Sequence, residues 1–205
     1  MSSDSTPISI PYDAALEGLG DGDILLCRRR PGPDLVGRFI STAGRSPYVH
    51  AAMFAWWNGT PFALESRQFR GIRAIHLPEF LAQYPGRCDW FAANAGGRWP
   101  SFNRMGAVEH MKRLTGRPYG YLNVLAAGLL HAPLIRFFAR PDYSNGGTAS
   151  KRPPFCSQAV AEATRLGGGV DLVTQLPDHL TEPGDLARSQ FYEYRGTFLN
   201  QETDQ

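Results

Sequence analysis

The chain has 205 residues, 42% hydrophobic and 20% charged, an ordinary globular composition that suits one domain with a sizeable core. A formal net charge of +2 is too weak to argue for nucleic acid or an anionic membrane as partner, and the Arg28-Arg29-Arg30 run reads as a solvated strand end. Three widely spaced cysteines, Cys27, Cys88 and Cys156, make neither a disulfide framework nor a zinc pattern, and free thiols fit a reducing compartment.

Residues 1 to 12 are rich in Ser, Asp and Pro and read as a flexible arm. They lack the apolar run of a signal peptide, so a cytoplasmic location is expected, with delivery by a phage particle or secretion system left open. Residues 13–199 are expected to form a single domain, followed by a tail at 200–205. Tyr12 to Leu19 suggests a short helical turn, and Ile24-Leu25-Leu26-Cys27 a buried strand. Leu35, Val36, Phe39 and Ile40 have helical spacing, which predicts a helix over Asp34 to Ala43.

Tyr48 to Trp57 is apolar and aromatic, and Asn58-Gly59 separates it from Thr60 to Ser66. Asn-Gly between two such runs marks a two-residue hairpin. That turn sets Trp57 opposite Thr60, Ala52 opposite Glu65 and His50 opposite Arg67. His50 and Glu65 then share a face as diagonal neighbours, with Cβ atoms about 7–8 Å apart. A slip of one residue would turn Glu65 to the other face.

Phe69 to Leu77 reads as a strand with a bulge at Gly71, Pro78 to Tyr84 as a short helix, and Cys88 to Ala93 as a strand. Ser101 is expected to cap a helix running to Leu114. The apolar stretch 122–138 is interrupted by Asn123, His131, Pro133 and Arg136 and is too short to span a bilayer. It reads as a buried helix or hairpin, with contact to lipid or an apolar substrate as the lesser option. Residues 139–154, rich in Pro, Gly, Ser and Asn, read as a mobile loop in a lid position. Pro153-Pro154 forbids an earlier helix, so Cys156 falls in the first turn of a helix that Gly167 to Gly169 ends. A short turn at Thr181 to Leu186 and a final strand at Phe191 to Phe198 complete the chain.

A thiol attacks as its thiolate, which the unpaired N–H groups of a helix's first turn and a nearby imidazolium both favour. Cys156 has the first device locally, and His50 is the candidate for the second. Glu65 would hold the imidazole in one tautomer, and the Cys156 N–H with one further group would bind an oxyanion. Tyr48, on the same nominal face as His50, is a candidate for that group or for the pocket wall. Of the other histidines, His76 is the best substitute; His110, His131 and His179 have poorer settings. Against this, a lone cysteine near a helix start is usually core, and Glu65 could pair with Arg67 or Arg70 as an ordinary surface charge.

Gly22-Asp23-Ile24-Leu25-Leu26, Tyr48-Val49-His50-Ala51-Ala52-Met53, Ala63-Leu64-Glu65-Ser66, Gly116-Arg117-Pro118-Tyr119 and Phe155-Cys156-Ser157-Gln158, in that order, resemble the circularly permuted NlpC-like, papain-like cysteine hydrolase superfamily. Pro183-Gly184-Asp185-Leu186 is similar to that group's C-terminal turn. The resemblance implies an α+β fold, a small antiparallel sheet or half-barrel packed on the nucleophile helix. It implies Cys156 as nucleophile, His50 as base, Glu65 as the third polar residue and Tyr119 as a pocket residue, with no metal or organic cofactor. Phe155 and Ser157, which flank the thiol, join Tyr48 and Tyr119 as candidate pocket residues. Ser157-Gln158 departs from the Ser-Glu that often follows the nucleophile.

The expected activity is hydrolysis of an amide or ester through a thioacyl-enzyme, with acyl transfer as a variant. The expected substrate is a small peptide, a peptidoglycan fragment or an acyl lipid, with peripheral lipid contact open and no nucleic acid or transmembrane segment. The contrasting reading is a catalytically silent binding or structural module of the same fold, with Cys156 buried away from His50.

Overall fold

The computed structural model describes residues 8–30, 32, 46–120, 153–174 and 176–199. The predicted helix over Asp34 to Ala43, the 122–138 stretch and all but the last two residues of the 139–154 loop lie outside them.

The chain is α+β. Its strands are β1 (Ser9–Ile10), β2 (Ile24–Arg28), β3 (Tyr48–Trp57), β4 (Thr60–Arg67), β5 (Gly71–His76), β6 (Cys88–Ala93) and β7 (Tyr192–Phe198). They form one sheet in the order β1-β7-β6-β2-β3-β4-β5. Every pairing is antiparallel except β1 with β7, so the sheet is mixed and larger than the sequence suggested. Ser9 and Ile10 pair with Thr197 and Phe198, which draws the expected flexible arm into the sheet from residue 9 onward.

The two faces of the sheet bury different helices, as the period of two along each strand requires. Ile24, Leu26, Ala51, Met53, Leu64 and Phe91 face α3 (Arg104–Leu114), α4 (Cys156–Glu162) and α5 (Pro183–Arg188). Leu25, Cys27, Ala52, Phe54, Ala63 and Trp90 face α1 (Tyr12–Leu16) and α2 (Leu77–Ala82). Because both faces are covered, the central strands are continuously apolar rather than alternating. Among the described residues no helix is long and apolar enough to cross a membrane.

Local signals explain most boundaries. Asn58 and Gly59 adopt φ of 51° and 76°, the left-handed pair that a two-residue hairpin demands, and the ladder carries Trp57 opposite Thr60 and Ala52 opposite Glu65 as expected. Gly71 is not a bulge. It opens β5 at φ 72°, where a Cβ would also come 2.6 Å from the Arg117 carbonyl oxygen. Nor does Ser101 cap α3. Asn103 does, its side chain accepting from the Gly106 N–H at 2.8 Å, because the Asn103 N–H is pinned to the Gly168 carbonyl and the chain turns into the helix there.

After Glu162, α4 widens into a π-turn over Ala163–Gly167 that meets α3 backbone to backbone. A Cβ on Gly106 would strike the Gly167 carbonyl, and one on Gly167 would strike that of Gly106. Gly106→Val is therefore expected to lower the unfolding free energy by about 1–3 kcal/mol through overpacking. The check is a fall in the urea midpoint at unchanged slope.

Candidate active site

The β3–β4 ladder stops at the rung that pairs Ala52 with Glu65. The next residue on each strand turns instead to the start of α4. The Ala51 N–H donates to the Cys156 sulphur, and the Ser66 hydroxyl donates to the Pro154 carbonyl at 2.8 Å. The tip of α4 thus enters the seam where two strands part. Pro153 and Pro154 hold the approach extended, Phe155 takes the cap position at ψ −178°, and Cys156 is the first helical residue.

In that seam the thiol meets His50, and the two side chains are hydrogen-bonded. His50 Nε2 lies 2.6 Å from Glu65 Oε2, so Nδ1 is the nitrogen left for the sulphur. The Cys156, His50 and Glu65 side chains are all buried. The silent-module reading expects a thiol remote from His50, and the contact observed is the opposite.

Burial works against every charge in this group, and the partners outweigh it. Burial alone would raise the Cys156 thiol. The bond to His50, its positive charge, and the Ala51 and Ser157 N–H groups hold the thiol below its ordinary value. For His50 burial pulls down, but hydrogen bonds to Cys156 and Glu65 and their charges lift it to about 9. Glu65 is pushed up by burial and pulled down further by the His50 bond and charge, by Arg73 and by Arg67, to about 2. At neutral pH these directions favour thiolate, imidazolium and carboxylate together.

The flanking residues divide. Tyr119 and Phe155 are buried in one small cluster with Cys156 and Leu180. Ser157 is wholly buried and donates its hydroxyl to the Thr181 carbonyl at 2.8 Å, so it ties α4 down and lines no pocket. Tyr48 departs from the simple alternation. The β2–β3 register shifts between Cys27 opposite His50 and Arg28 opposite Tyr48, an irregularity that sends Tyr48 to the opposite face from His50. Its ring meets Phe91 edge-on and its hydroxyl donates to Asp89 at 2.7 Å, so that hydroxyl is not an oxyanion donor.

His76 is exposed and packs on Phe62, while His110 faces Glu162 at 3.3 Å between α3 and α4. His179 is exposed on the short turn Asp178–Leu180, and His131 lies outside the described residues. Cys27 and Cys88 are free thiols fully buried in the sheet.

Sequence reasoning missed two neighbours, Arg73 and Tyr84, and cast a third, Arg67, only as a surface-charge partner of Glu65. Arg73 lies directly opposite Glu65 and donates to its Oε1 from Nε at 2.8 Å and from Nη2 at 2.7 Å. Tyr84 stacks on His50, centroids 5.9 Å apart and 15° between planes. Arg67 stands 3.7 Å from Glu65 Oε2 and donates to the Tyr84 hydroxyl at 2.8 Å. Pairing the second hairpin from Arg67 opposite Gly71 would have exposed the Glu65–Arg73 rung. Nothing local marks Tyr84, which arrives with α2.

No family model matches the chain, and no curated protein matches it. Among solved structures it is similar to the crystal structure of metalloprotein yiiX from Escherichia coli O157:H7, with a TM-score of 0.59 and 14% identity over 87% of this chain and 97% of that one. At that identity the likeness is one of fold, and the chain shares its architecture with that protein over nearly the whole length of both.

Proposed function

We propose that this protein is a cysteine-nucleophile hydrolase or acyltransferase of the permuted papain-like kind, acting on an amide or ester through a thioacyl-enzyme. The observation that carries the reading is the buried chain from sulphur to imidazole to carboxylate, Cys156 to His50 to Glu65, with 2.6 Å between the last two. The thiolate attacks the acyl carbon and the carbonyl electrons move onto oxygen. That oxygen is received by the N–H of Cys156, which as the first helical residue has no acceptor within its own helix. On collapse the C–N or C–O bond breaks, and His50 gives its Nδ1 proton to the departing amine or alcohol. Neutral His50 then takes a proton from water, or from an acceptor alcohol or amine, as it attacks the thioester, and the thiolate–imidazolium pair returns.

The structural neighbour is named a metalloprotein. Among the described residues of this chain no group of three or more His, Cys, Asp or Glu side chains is placed to hold a metal ion, and Cys156 and His50 engage each other. The steps above are written with the chain's own groups. The three free thiols support a reducing compartment. A substrate that brings an acyl group to a buried thiol, whether a muropeptide or an acyl lipid, suits the apolar Tyr119, Phe155 and Leu180 beside the sulphur.

The test is covalent capture. Incubation with a panel of acyl lipids and muropeptides, acid quench and peptide-resolved mass spectrometry should find an acyl adduct on Cys156 and on neither Cys27 nor Cys88. A panel that is turned over with no adduct, and equally fast by Cys156→Ala, would overturn the mechanism.

A further inference from the structure

The two oxygens of Glu65 are used separately. Oε2 faces His50 Nε2, and Oε1 takes both the Nε and Nη2 hydrogens of Arg73. Glu65 is fully buried, whereas the Arg73 side chain is 27% exposed, so its charge enters the site from the solvent side of β5. With Oε1 saturated, the carboxylate has one oxygen left to present, and rotation about its last bond would break two charged hydrogen bonds at once. His50 is otherwise bounded by the Tyr84 ring, by Phe80 and by Cys156, so the Glu65 oxygen decides which way its Nε2 edge points.

We propose that Arg73 is a positioning residue for the Cys156–His50 pair: by occupying Oε1 it aims Oε2 at the imidazole and so holds Nδ1 against the sulphur. This rests on reading Cys156 as nucleophile and His50 as its base. The charged and titratable groups around the pair are Glu65 and Arg67 on β4, Arg73 on β5, Cys27 on β2, Cys156 on α4 and Tyr84 after α2, with Arg87 over the Tyr84 ring. Arg67 cannot replace Arg73, because it stands 3.7 Å from the other oxygen and is committed to the Tyr84 hydroxyl. Arg73 alone makes a hydrogen-bonded contact with Oε1 among the described residues.

The experiment measures the rate of Cys156 carbamidomethylation by iodoacetamide against pH in the full chain, resolved by peptide mass spectrometry. Arg73→Met is expected to move the midpoint of the acid limb up by about one unit, so that the rate at the wild-type midpoint falls about fivefold. Arg73→Lys, whose ammonium still reaches Oε1, is expected to recover most of that loss. Arg73→Leu also removes both donor and charge, should shift as Arg73→Met does, and serves if the methionine variant does not fold. A midpoint equal to wild type in the neutral variants, even with a lowered melting temperature, overturns the proposal and leaves Arg73 a hairpin staple, provided Glu65→Gln does move it. If Glu65→Gln and His50→Ala also leave the midpoint in place, the underlying reading of the thiol and its base is what fails.

Discussion

His50→Ala is expected to cost about 10²–10⁴-fold in turnover and to strip Cys156 of its reactivity at mildly acidic pH. The thiol is buried, and burial by itself disfavours the thiolate. What holds its proton affinity down is first the imidazole and then two backbone N–H groups, from Ala51 and Ser157. Removing the imidazole leaves only the amides, too little to offset burial, so the alkylation midpoint should rise to the ordinary thiol range of about 8.5 or beyond. Wild type should instead alkylate at a near-constant rate from mildly acidic pH, and its turnover should decline as His50 loses its proton near 9. Cys156→Ala should abolish turnover without altering the circular dichroism. An alanine variant at His50 that keeps the wild-type profile would show that the thiolate is stabilised by something else.

Glu65→Ala should be the most destabilising change in the site, by about 3–5 kcal/mol, because it strands charges rather than merely removing a contact. Arg73 loses both of its hydrogen bonds to Oε1, and His50 loses the partner that balances its charge. The pH dependence follows from the directions already given. Glu65 is lowered to about 2, so its share of stability is complete above the ordinary carboxylate range and is lost as pH falls through 2. His50 is raised to about 9, so its share is complete below the ordinary imidazole range and is lost as pH rises through 9. Both shifts describe one interaction and count once. Wild-type urea midpoints should peak between about pH 4.5 and 6.5, and Glu65→Ala should flatten that peak. An unchanged profile in the variant would place the stabilisation elsewhere.

The site was legible where local chemistry is stiff. Asn58-Gly59 admits one tight turn, so the rung joining Ala52 to Glu65, and with it the side-by-side placing of His50 and Glu65, could be read from the letters. Pro153-Pro154 likewise dictated where α4 begins. The failures have separate causes, the first being that one displaced rung cannot be seen in composition. The β2–β3 irregularity moved Tyr48 to the other face, and a side chain that ties down a helix, Ser157, reads the same as one that lines a pocket. Arg73 escaped because its importance lies two strands from His50. The parallel docking of β1 on β7 joins residues from opposite ends of the chain, for which no periodicity exists.

The seam between β3 and β4 has a consequence for how the molecule assembles. Its two walls form from a local hairpin, cheap in loop entropy, but the wedge that fills it comes from about a hundred residues further along. Such a contact raises the contact order, and its loop entropy is lost before the contact is gained. A chain in which that contact has not yet closed therefore holds Cys156 apart from His50, and its thiol lacks the partner that favours the thiolate.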